Sequence, residues 1–509
     1  MVNYNKDNER IAKNTLMLYM RTFIIMIVSL YSVRVIFNSL GATDYGIQNV
    51  VSGFVAMFSF VTGSLSVAIG RFFSIEIGKG NNIQLRKLFS TSIIIMLIIS
   101  AIMIILVEFI GLIYINYQMN IPSGRRIAAN YLLQFSVITL LFNLICVPFD
   151  AIIVSYEKMS AYAYISIVDA LLKLTGAYLT VISPIDKLVT YSFLLALQAI
   201  VIRLLYSIYC NRKLSVCKFY WVYDKSLMKQ IVSIAGWDLW GSSSNILKNY
   251  GVNLIINIFY PLPVNAARGI AQQVNAAITK FSGGFLTALR PQIVKNYSVQ
   301  RMDRTILLVN NGTRFSSYLL LLLSMPLMLE CHYVLNLWLG FVPEYCVQFV
   351  ILTIILSISE GTMVYCHNAL LMATGKIKQC QLITGVLQLM NIPISYGLLY
   401  LGFSPTSTIV LAIIIAIISC FIRVFILSHL VAYSVKTFIN EVYLKFIIVS
   451  FVSLIVPLLV HNSLDEGLFR FIIVSLVSIT WNVLIIMCLG CEKRERLIII
   501  KKIRNKLFR

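Results

Sequence analysis

Long apolar segments recur along the whole chain and are separated by short polar connections. Each segment has about 20 residues or more, which is enough for a helix to cross roughly 30 Å of hydrocarbon. No stretch shows the sustained alternation of apolar and polar positions that is typical of strands. The pattern therefore predicts an all-helical integral membrane protein. Its fourteen transmembrane helices are expected near residues 15–38, 44–66, 88–114, 127–147, 160–182, 188–210, 230–257, 264–289, 306–329, 345–373, 379–401, 405–430, 439–461 and 468–489.

The composition agrees with a membrane protein. Of the 509 residues, 59% are hydrophobic and 12% are charged, whereas ordinary soluble domains carry about 25% charged residues. The longest connections, around 211–229 and 290–305, have roughly 15 to 20 residues, so we expect no soluble catalytic domain between the helices. The first apolar run follows a polar, charged start and is interpreted as the first span rather than as a cleavable signal peptide.

Basic residues are distributed very unequally between the two predicted sides. The N-terminal segment, the even-numbered connections and the C-terminal tail hold 28 of the 42 Lys and Arg residues, and the odd-numbered connections hold four. The positive-inside rule then predicts that both termini are cytoplasmic. The formal net charge of +22 is attributed to these loops and not to nucleic-acid binding. The basic tail, 492–509, is either a short interfacial helix or a frayed solvated segment.

A weak internal repeat predicts how the helices are grouped. The segments Tyr45–Arg71 and Val264–Arg290 lie 219 residues apart, are each the second span of a group, and both close on an Arg at the predicted cytoplasmic face. Transporter folds are commonly built from two related halves. We therefore expect two pseudo-symmetric six-helix lobes, residues 1–215 and 216–432, followed by two more helices and the tail in residues 433–509.

A polar stripe runs along one face of the predicted eighth helix, because its members are spaced three or four residues apart. A charged side chain at mid-bilayer costs at least about 2.5–3.5 kcal/mol, so such residues face the bundle interior or a water-filled cavity. Polar side chains also join helices to each other, which is the alternative role for the Asn and Gln residues. The stripe contains Asn265, Arg268, Gln272, Asn275 and Thr279.

Other interior cations extend this candidate substrate site. Arg34 in the first helix and Lys248 in the seventh have no acidic residue within one turn on their own helix. Lys280 lies one position from the stripe and either borders the cavity or extends to the interface. Lys173, by contrast, has Asp169 one turn earlier, which predicts an internal ion pair.

Charge decides which cargo such a cavity suits. Interior cations favour an anion, and a phosphate or diphosphate matches them best because Arg binds its oxygens in pairs and Lys acts as a point charge. A cationic drug would be repelled. Glu108 and Glu360 lack an obvious partner on their own helices, which makes them the candidates for a protonatable coupling site. The energy source is left open.

No pattern indicates an enzyme, a metal site or a cofactor. The four histidines are scattered over different spans, and no Gly-rich phosphate loop follows a strand. Cys488 and Cys491 form a single CxxC without the further ligands that a zinc site needs. Cys331 and Cys346 flank one predicted outward loop, and their pairing is left open.

Two stretches of sequence resemble a known family. One is Leu40-Gly41-Ala42-Thr43-Asp44-Tyr45-Gly46-Ile47, continued by Val51-Ser52-Gly53-Phe54, Met57-Phe58, Gly63-Ser64-Leu65-Ser66, Arg71-Phe72 and Gly78-Lys79-Gly80-Asn81. The other is Val264-Asn265-Ala266-Ala267-Arg268-Gly269-Ile270-Ala271 with Pro291-Gln292-Ile293-Val294-Lys295. They resemble Wzx-type oligosaccharide flippases, in the polysaccharide-transporter branch of the multidrug/oligosaccharidyl-lipid/polysaccharide superfamily.

The resemblance implies more than the residue pattern does. It implies a two-lobed bundle in the bacterial inner membrane that alternates between inward-open and outward-open states. The implied cargo is an undecaprenyl-diphosphate-linked repeat unit for O-antigen, lipopolysaccharide, capsule or exopolysaccharide assembly, with membrane lipids and polymerase or assembly proteins as partners. Two alternatives stay open: an ion-coupled multidrug exporter of the same superfamily, and a membrane-embedded polysaccharide polymerase or ligase.

Overall fold

The computed structural model of the protein describes residues 4–156, 158–222, 224–431, 433–492 and 495–497. Every regular element within these ranges is a helix, which confirms the predicted all-helical class. The interfacial helix that was considered for the tail lies largely outside the described residues. The first nine helices are α1 Tyr4–Ala56, α2 Phe60–Lys79, α3 Asn82–Ile113, α4 Arg126–Ser155, α5 Met159–Ile182, α6 Lys187–Lys213, α7 Lys225–Phe259, α8 Leu262–Ser298 and α9 Met302–Leu329.

The remaining helices are shorter on average, because π turns and loops interrupt them. A π turn over Ile358–Thr362 joins α11 to α12, and another over Ile439–Leu444 joins α15 to α16. The helices are α10 Cys331–Leu339, α11 Cys346–Ser357, α12 Met363–Ala373, α13 Ile377–Tyr400, α14 Ser407–Val431, α15 Val435–Phe438, α16 Lys445–Ser463 and α17 Leu468–Ile485.

A helix covers each of the fourteen predicted segments. Among the described residues, 11 stretches are long and apolar enough to cross a membrane, and the first of these, Met20–Lys79, contains two predicted spans. The helices α7 and α8, which carry many of the polar residues singled out above, are not among the 11. The structure is therefore a multi-span bundle, and the number of membrane crossings stays a prediction.

The break between the first two spans has a local cause. Gly41 lies inside α1 with φ 74° and ψ 172°, a conformation that residues with a Cβ rarely adopt. It divides α1 between the predicted segments 15–38 and 44–66. Side-chain caps fix the beginnings of later helices: the Asn81 side chain accepts from the backbone N–H of Gln84, and Asp186 caps α6.

The helices form two compact units. The first unit runs to Gly269 and also contains Ile392–Pro405, and its core is built from apolar residues of α1 to α7 such as Ile47 and Phe89. The second unit contains Ile270–Asn391 and the chain from Thr406 onwards, with a core that includes Val309 and Phe438.

The boundary of the first unit differs from the predicted lobe boundary at 215/216. The helix α7 and the beginning of α8 pack closely against the second half of α1. A Cβ atom on Gly46 would lie 2.3 Å from the backbone oxygen of Leu262, and the Asn253 amide donates to Asn49 Oδ1 at 3.0 Å. These close contacts tie α7 to the first helices. The assignment of two six-helix lobes and a C-terminal pair stays a prediction about topology.

All ten cysteines are free thiols, so Cys331 and Cys346 are not joined. Nine of the ten are buried, and Cys488 alone is exposed.

Candidate functional site

A polar cavity of about 700 Å³ lies inside the first unit, lined by residues of α1, α2, α4, α5 and α6. This volume is in the range of about 300–1,000 Å³ that small-molecule sites occupy. Most of its polar groups are hydroxyls and amides, which suit a hydrated ion or a hydroxylated ligand. They include Gln48, Ser52, Ser66, Ser136, Thr139 and Asn143.

Two carboxylates of this cavity differ in their partners. Asp169 on α5 pairs with Lys173 Nζ at 2.8 Å and also accepts a hydrogen bond from the Gln198 amide. The predicted Asp169–Lys173 ion pair is thereby confirmed. Asp150 on α4 has its Oδ1 atom buried with no hydrogen-bond partner among the described residues. Asp150 is therefore the carboxylate of this cavity that has an unsatisfied acceptor.

Arg21 is the basic residue among those that line this cavity, and it interacts electrostatically with Asp150. Its guanidinium lies over the Tyr162 ring, 4.4 Å from the centroid, and its Nε atom has no hydrogen-bond partner among the described residues. The sequence pattern did not single out Asp150. The available signal was an acidic residue three positions beyond a predicted span, with no basic residue three or four positions away.

Three predicted substrate residues lie in the part of the first unit formed by α7 and α8. Lys248 is 3% exposed and Arg268 is 7% exposed. Arg268 Nη2 donates to the backbone oxygen of Asn249 at 3.3 Å, which brings it beside the residue that follows Lys248. Asn265 donates to the backbone oxygen of Asn253 at 2.7 Å, so its amide joins α8 to α7.

The other predicted substrate residues have different surroundings. Arg34 is exposed on α1 and makes no hydrogen bond or ion pair with the described residues. In the second unit, Gln272 is half-buried and Lys280 is exposed, while Asn275 accepts a hydrogen bond from the Ser357 hydroxyl. Their role in binding stays a prediction.

Both predicted coupling residues are hydrogen-bonded to glutamines. Glu108 on α3 accepts from Gln134 Nε2 at 2.8 Å. Glu360 lies in the π turn between α11 and α12 and accepts from Gln388 Nε2 at 3.3 Å. Neither residue lines the first-unit cavity.

An arginine directly before α4 joins α1 to the connection between α5 and α6. Arg125 Nε donates to Asp44 Oδ1 at 2.8 Å, and its Nη groups donate to Asp44 and Asp186. Partial burial raises the pKa of the Asp186 carboxyl, but the hydrogen bonds from Arg125 and from the backbone N–H groups of Val189 and Leu188 outweigh it. The pKa of Asp186 therefore lies below its ordinary value of 3.8.

Comparisons with known proteins give a family model and several similar structures. A model described as MatE matches residues 19–179 of the chain. The lipid II flippase MurJ in an inward closed conformation has a TM-score of 0.68 at 14% identity, over 92% of this chain and 98% of that chain. No curated protein matches the chain by sequence.

Two multidrug transporters are also similar in structure. An inward-facing multidrug resistance MATE family transporter of the MOP superfamily has a TM-score of 0.64 at 13% identity, over 79% of this chain and 95% of that chain. The MATE multidrug transporter DinF-BH, in a ligand complex, has a TM-score of 0.61 at 16% identity, over 83% of this chain and 95% of that chain. The chain therefore has the fold that MurJ and the MATE transporters share.

Proposed function

We propose that the protein is a transporter of the MOP superfamily that flips lipid-linked oligosaccharides. Its cargo is an undecaprenyl-diphosphate-linked repeat unit, which moves from the cytoplasmic to the periplasmic leaflet of a bacterial inner membrane for polysaccharide biosynthesis. The process is alternating access around a cationic cavity, and no covalent bond of the cargo is made or broken.

The burial of Lys248 and Arg268 is the observation that carries this proposal. Two cationic groups at such depth lie in surroundings of low dielectric constant, where a charge acts more strongly on a bound anion than in water. A diphosphate suits these groups, because charge-assisted hydrogen bonds from Arg and Lys to phosphate oxygens are strong. In this proposal the two side chains hold the diphosphate, amide and hydroxyl groups contact the sugars, and the polyprenyl tail stays in the lipid.

The extent of the structural similarity also supports a flippase. MurJ, described as a lipid II flippase, aligns with 92% of this chain, whereas the two multidrug transporters align with 79% and 83%. The long apolar helices α16 and α17 make the chain longer than a twelve-helix exporter would be. A flippase of lipid-linked cargo has a use for further helices, since an apolar tail must be accommodated beside the bundle.

Asp150 is our candidate for energy coupling, in addition to Glu108 and Glu360. The Asp150 carboxylate accepts a hydrogen bond from the Tyr206 hydroxyl, but its Oδ1 atom is buried without a partner among the described residues. The surrounding hydroxyls and amides are suitable ligands for a proton-carrying water or a monovalent cation. Because Asp169 is already paired with Lys173, we expect coupling to depend on Asp150 far more than on Asp169.

An ion-coupled multidrug exporter is the second candidate. The first-unit cavity favours it, because carboxylates at Asp150 and Asp169 in a chamber of about 700 Å³ would attract a cationic organic compound. The two candidates predict opposite dependencies: export of a cationic drug would need Asp150 and would not need Lys248 or Arg268.

The deciding experiment uses a strain from which the gene is deleted. In the flippase proposal, lipid-linked repeat units accumulate in the cytoplasmic leaflet and surface polysaccharide is lost. The wild-type gene and Lys248→Arg restore export, whereas Lys248→Met and Arg268→Gln fail to restore it although the proteins reach normal levels. Lys187→Met is the matched control, because Lys187 is exposed and its side chain makes no hydrogen bond or ion pair with the described residues.

Normal polysaccharide output in the deletion strain would reject the flippase proposal. Loss of resistance to a cationic drug in the same strain, restored by wild type but not by Asp150→Asn, would establish the exporter instead.

A further inference from the structure

A basic and aromatic surface lies where the beginning of α3 meets the connection between α6 and α7, within the first unit. A cavity of about 510 Å³ opens there, lined by Asn82, Ile83, Arg86, Ser215, Val216 and Tyr220. We call these residues, together with Lys218, Phe219 and Trp221, the interfacial patch. It is separate from the polar cavity and from Lys248 and Arg268, and the proposed transport does not use it.

The connection that carries the patch is held in a fixed position. Leu214, Val216 and Cys217 are buried in the core of the first unit. The backbone N–H of Tyr220 donates to Ser90 Oγ on α3 at 3.2 Å. Because Val216 and Cys217 are buried while Lys218, Phe219 and Trp221 are exposed, the connection presents its basic and aromatic side chains outward from an anchored backbone.

Arg86 is the central cation of the patch. Its Nε donates to the backbone oxygen of Lys218 at 3.0 Å, and its guanidinium lies over the Tyr220 ring, 4.9 Å from the centroid. These contacts orient the guanidinium while its Nη groups make no hydrogen bond with described residues. The group is thus preoriented with two nitrogen atoms available to an anion.

The charge around the cavity is positive. The first turn of α3 contains no acidic residue, and the N-terminus of a helix carries a partial positive charge. Neighbouring lysines are already neutralised, since Lys79 pairs with Glu76 at 2.8 Å and Lys87 pairs with Asp224 at 2.7 Å. Among the described residues, Arg86 and Lys218 have no such acidic partner.

Exposed apolar side chains border the same cavity. Ile83 is 83% exposed and Trp221 is 76% exposed, with the Phe219 ring packed edge-on against Trp221. Trp and other aromatic rings concentrate at the headgroup level of membranes. A free anion gives these side chains no apolar environment, whereas a lipid supplies both a phosphate and an acyl region.

We propose that the interfacial patch binds the phosphate headgroup of an acidic phospholipid of the cytoplasmic leaflet. Arg86 and Lys218 contact the phosphate, and Ile83, Phe219 and Trp221 contact the glycerol and upper acyl region. Basic pockets on the cytoplasmic side of membrane proteins recognise anionic headgroups in this way. The bound lipid fixes the end of α3 and the α6–α7 connection at the membrane surface.

The test measures lipid binding by the full-length protein in detergent, with phosphatidylglycerol and phosphatidylcholine as probes and native mass spectrometry as the readout. Arg86→Gln/Lys218→Gln is expected to lower the affinity of the tightest phosphatidylglycerol site about 25-fold, at about fivefold per basic residue. Phosphatidylcholine binding should not change. The matched control is Arg126→Gln/Lys187→Gln. Both residues are exposed, and they lie at the beginnings of α4 and α6, after the C-terminal ends of α3 and α5.

Each outcome bears on the proposal directly. An unchanged thermal midpoint of the double variant in phosphatidylcholine nanodiscs shows that the fold is intact, as expected for two exposed side chains. Equal loss in the control variant would mean that bulk charge alone attracts the lipid, and would overturn the proposal. It would also be overturned if inorganic phosphate displaced the lipid from wild type as effectively as phosphatidylglycerol does. Since no transport is measured, the result is independent of the proposed cargo.

Discussion

A buried carboxylate fixes the last two helices to α9, and we expect its removal to lower the unfolding free energy. Glu330 follows α9 and is 0% exposed. It contacts His461 of α16, with Nδ1 2.7 Å from Oε1, and Arg470 of α17, whose Nε and Nη2 donate to Oε2 at 3.2 and 3.1 Å. One side chain thus connects three helices of the second unit.

The size of the effect follows from the burial of the partners. Removing one member of a buried ion pair costs about 3–5 kcal/mol, because the other charge stays desolvated without compensation. The Arg470 side chain is 12% exposed and lies near a helix end, where it can reach water. We therefore expect Glu330→Gln to cost about 3 kcal/mol of unfolding free energy.

A double-mutant cycle separates the charge from the shape of the site. Glu330→Gln/Arg470→Gln buries no charge, so it should recover about 2 kcal/mol relative to the sum of the single variants. Thermal unfolding of the purified protein in one detergent is the assay. Glu466→Gln is the control: Glu466 pairs with His332 at 3.0 Å, but both are exposed, and such pairs contribute at most about 1 kcal/mol. The prediction would be refuted if the destabilisation of the double variant equalled the sum of the two single variants, or if Glu330→Gln and Glu466→Gln lowered the stability equally.

Three further predictions test other parts of the structure. Asp150→Asn should reduce transport in proteoliposomes at least about tenfold while leaving the thermal midpoint unchanged or higher, since it removes a carboxylate with an unsatisfied buried oxygen. Retained coupling in this variant would contradict the assignment of Asp150 to energy coupling. Gly46→Ala should cost about 1–3 kcal/mol because its Cβ would meet a backbone oxygen at 2.3 Å, whereas Gly397→Ala, with nothing within 4 Å, should be neutral in the same unfolding assay. The lowered pKa of Asp186 stabilises the folded protein at pH values above the ordinary pKa of 3.8, and this stabilisation is lost as the pH falls below 3.8. We therefore expect the thermal midpoint of Arg125→Gln to fall less steeply at acid pH than that of the wild type.

The helical class and the positions of the helices could be predicted from the sequence, because each apolar segment must satisfy its own backbone hydrogen bonds in lipid. The break at Gly41 also falls between two predicted segments. The π turns that divide the later helices were not predictable in this way. Their sequences, such as Ile358–Thr362, carry no periodicity that sets them apart from the helices they interrupt.

The site was only partly accessible to sequence reasoning. Lys173 was correctly paired with Asp169, because both lie on one helix at a spacing of four. Arg314 lies within α9, where the structure buries it at 2% exposure and pairs it with Glu495, 181 positions away in sequence. Periodicity carries no information about such a partner, since tertiary packing alone brings the two together.

The packing of α7 and α8 against α1 shows the same limitation. The contact between Asn49 and Asn253 spans 204 positions, and it depends on the close approach of α1 to α7 and α8. Gly46 and Gly269 permit this approach, but a glycine in a membrane helix does not identify which helix lies against it.

The thiol inventory has a practical consequence for work on this protein. Since nine cysteines are buried and Cys488 alone is exposed at the end of the helix pair that Glu330 anchors, a maleimide dye should modify the native chain at a single position. A fluorophore placed there would report on the C-terminal helices during turnover without a cysteine-free background, and rapid labelling at several positions would show that the native packing had opened.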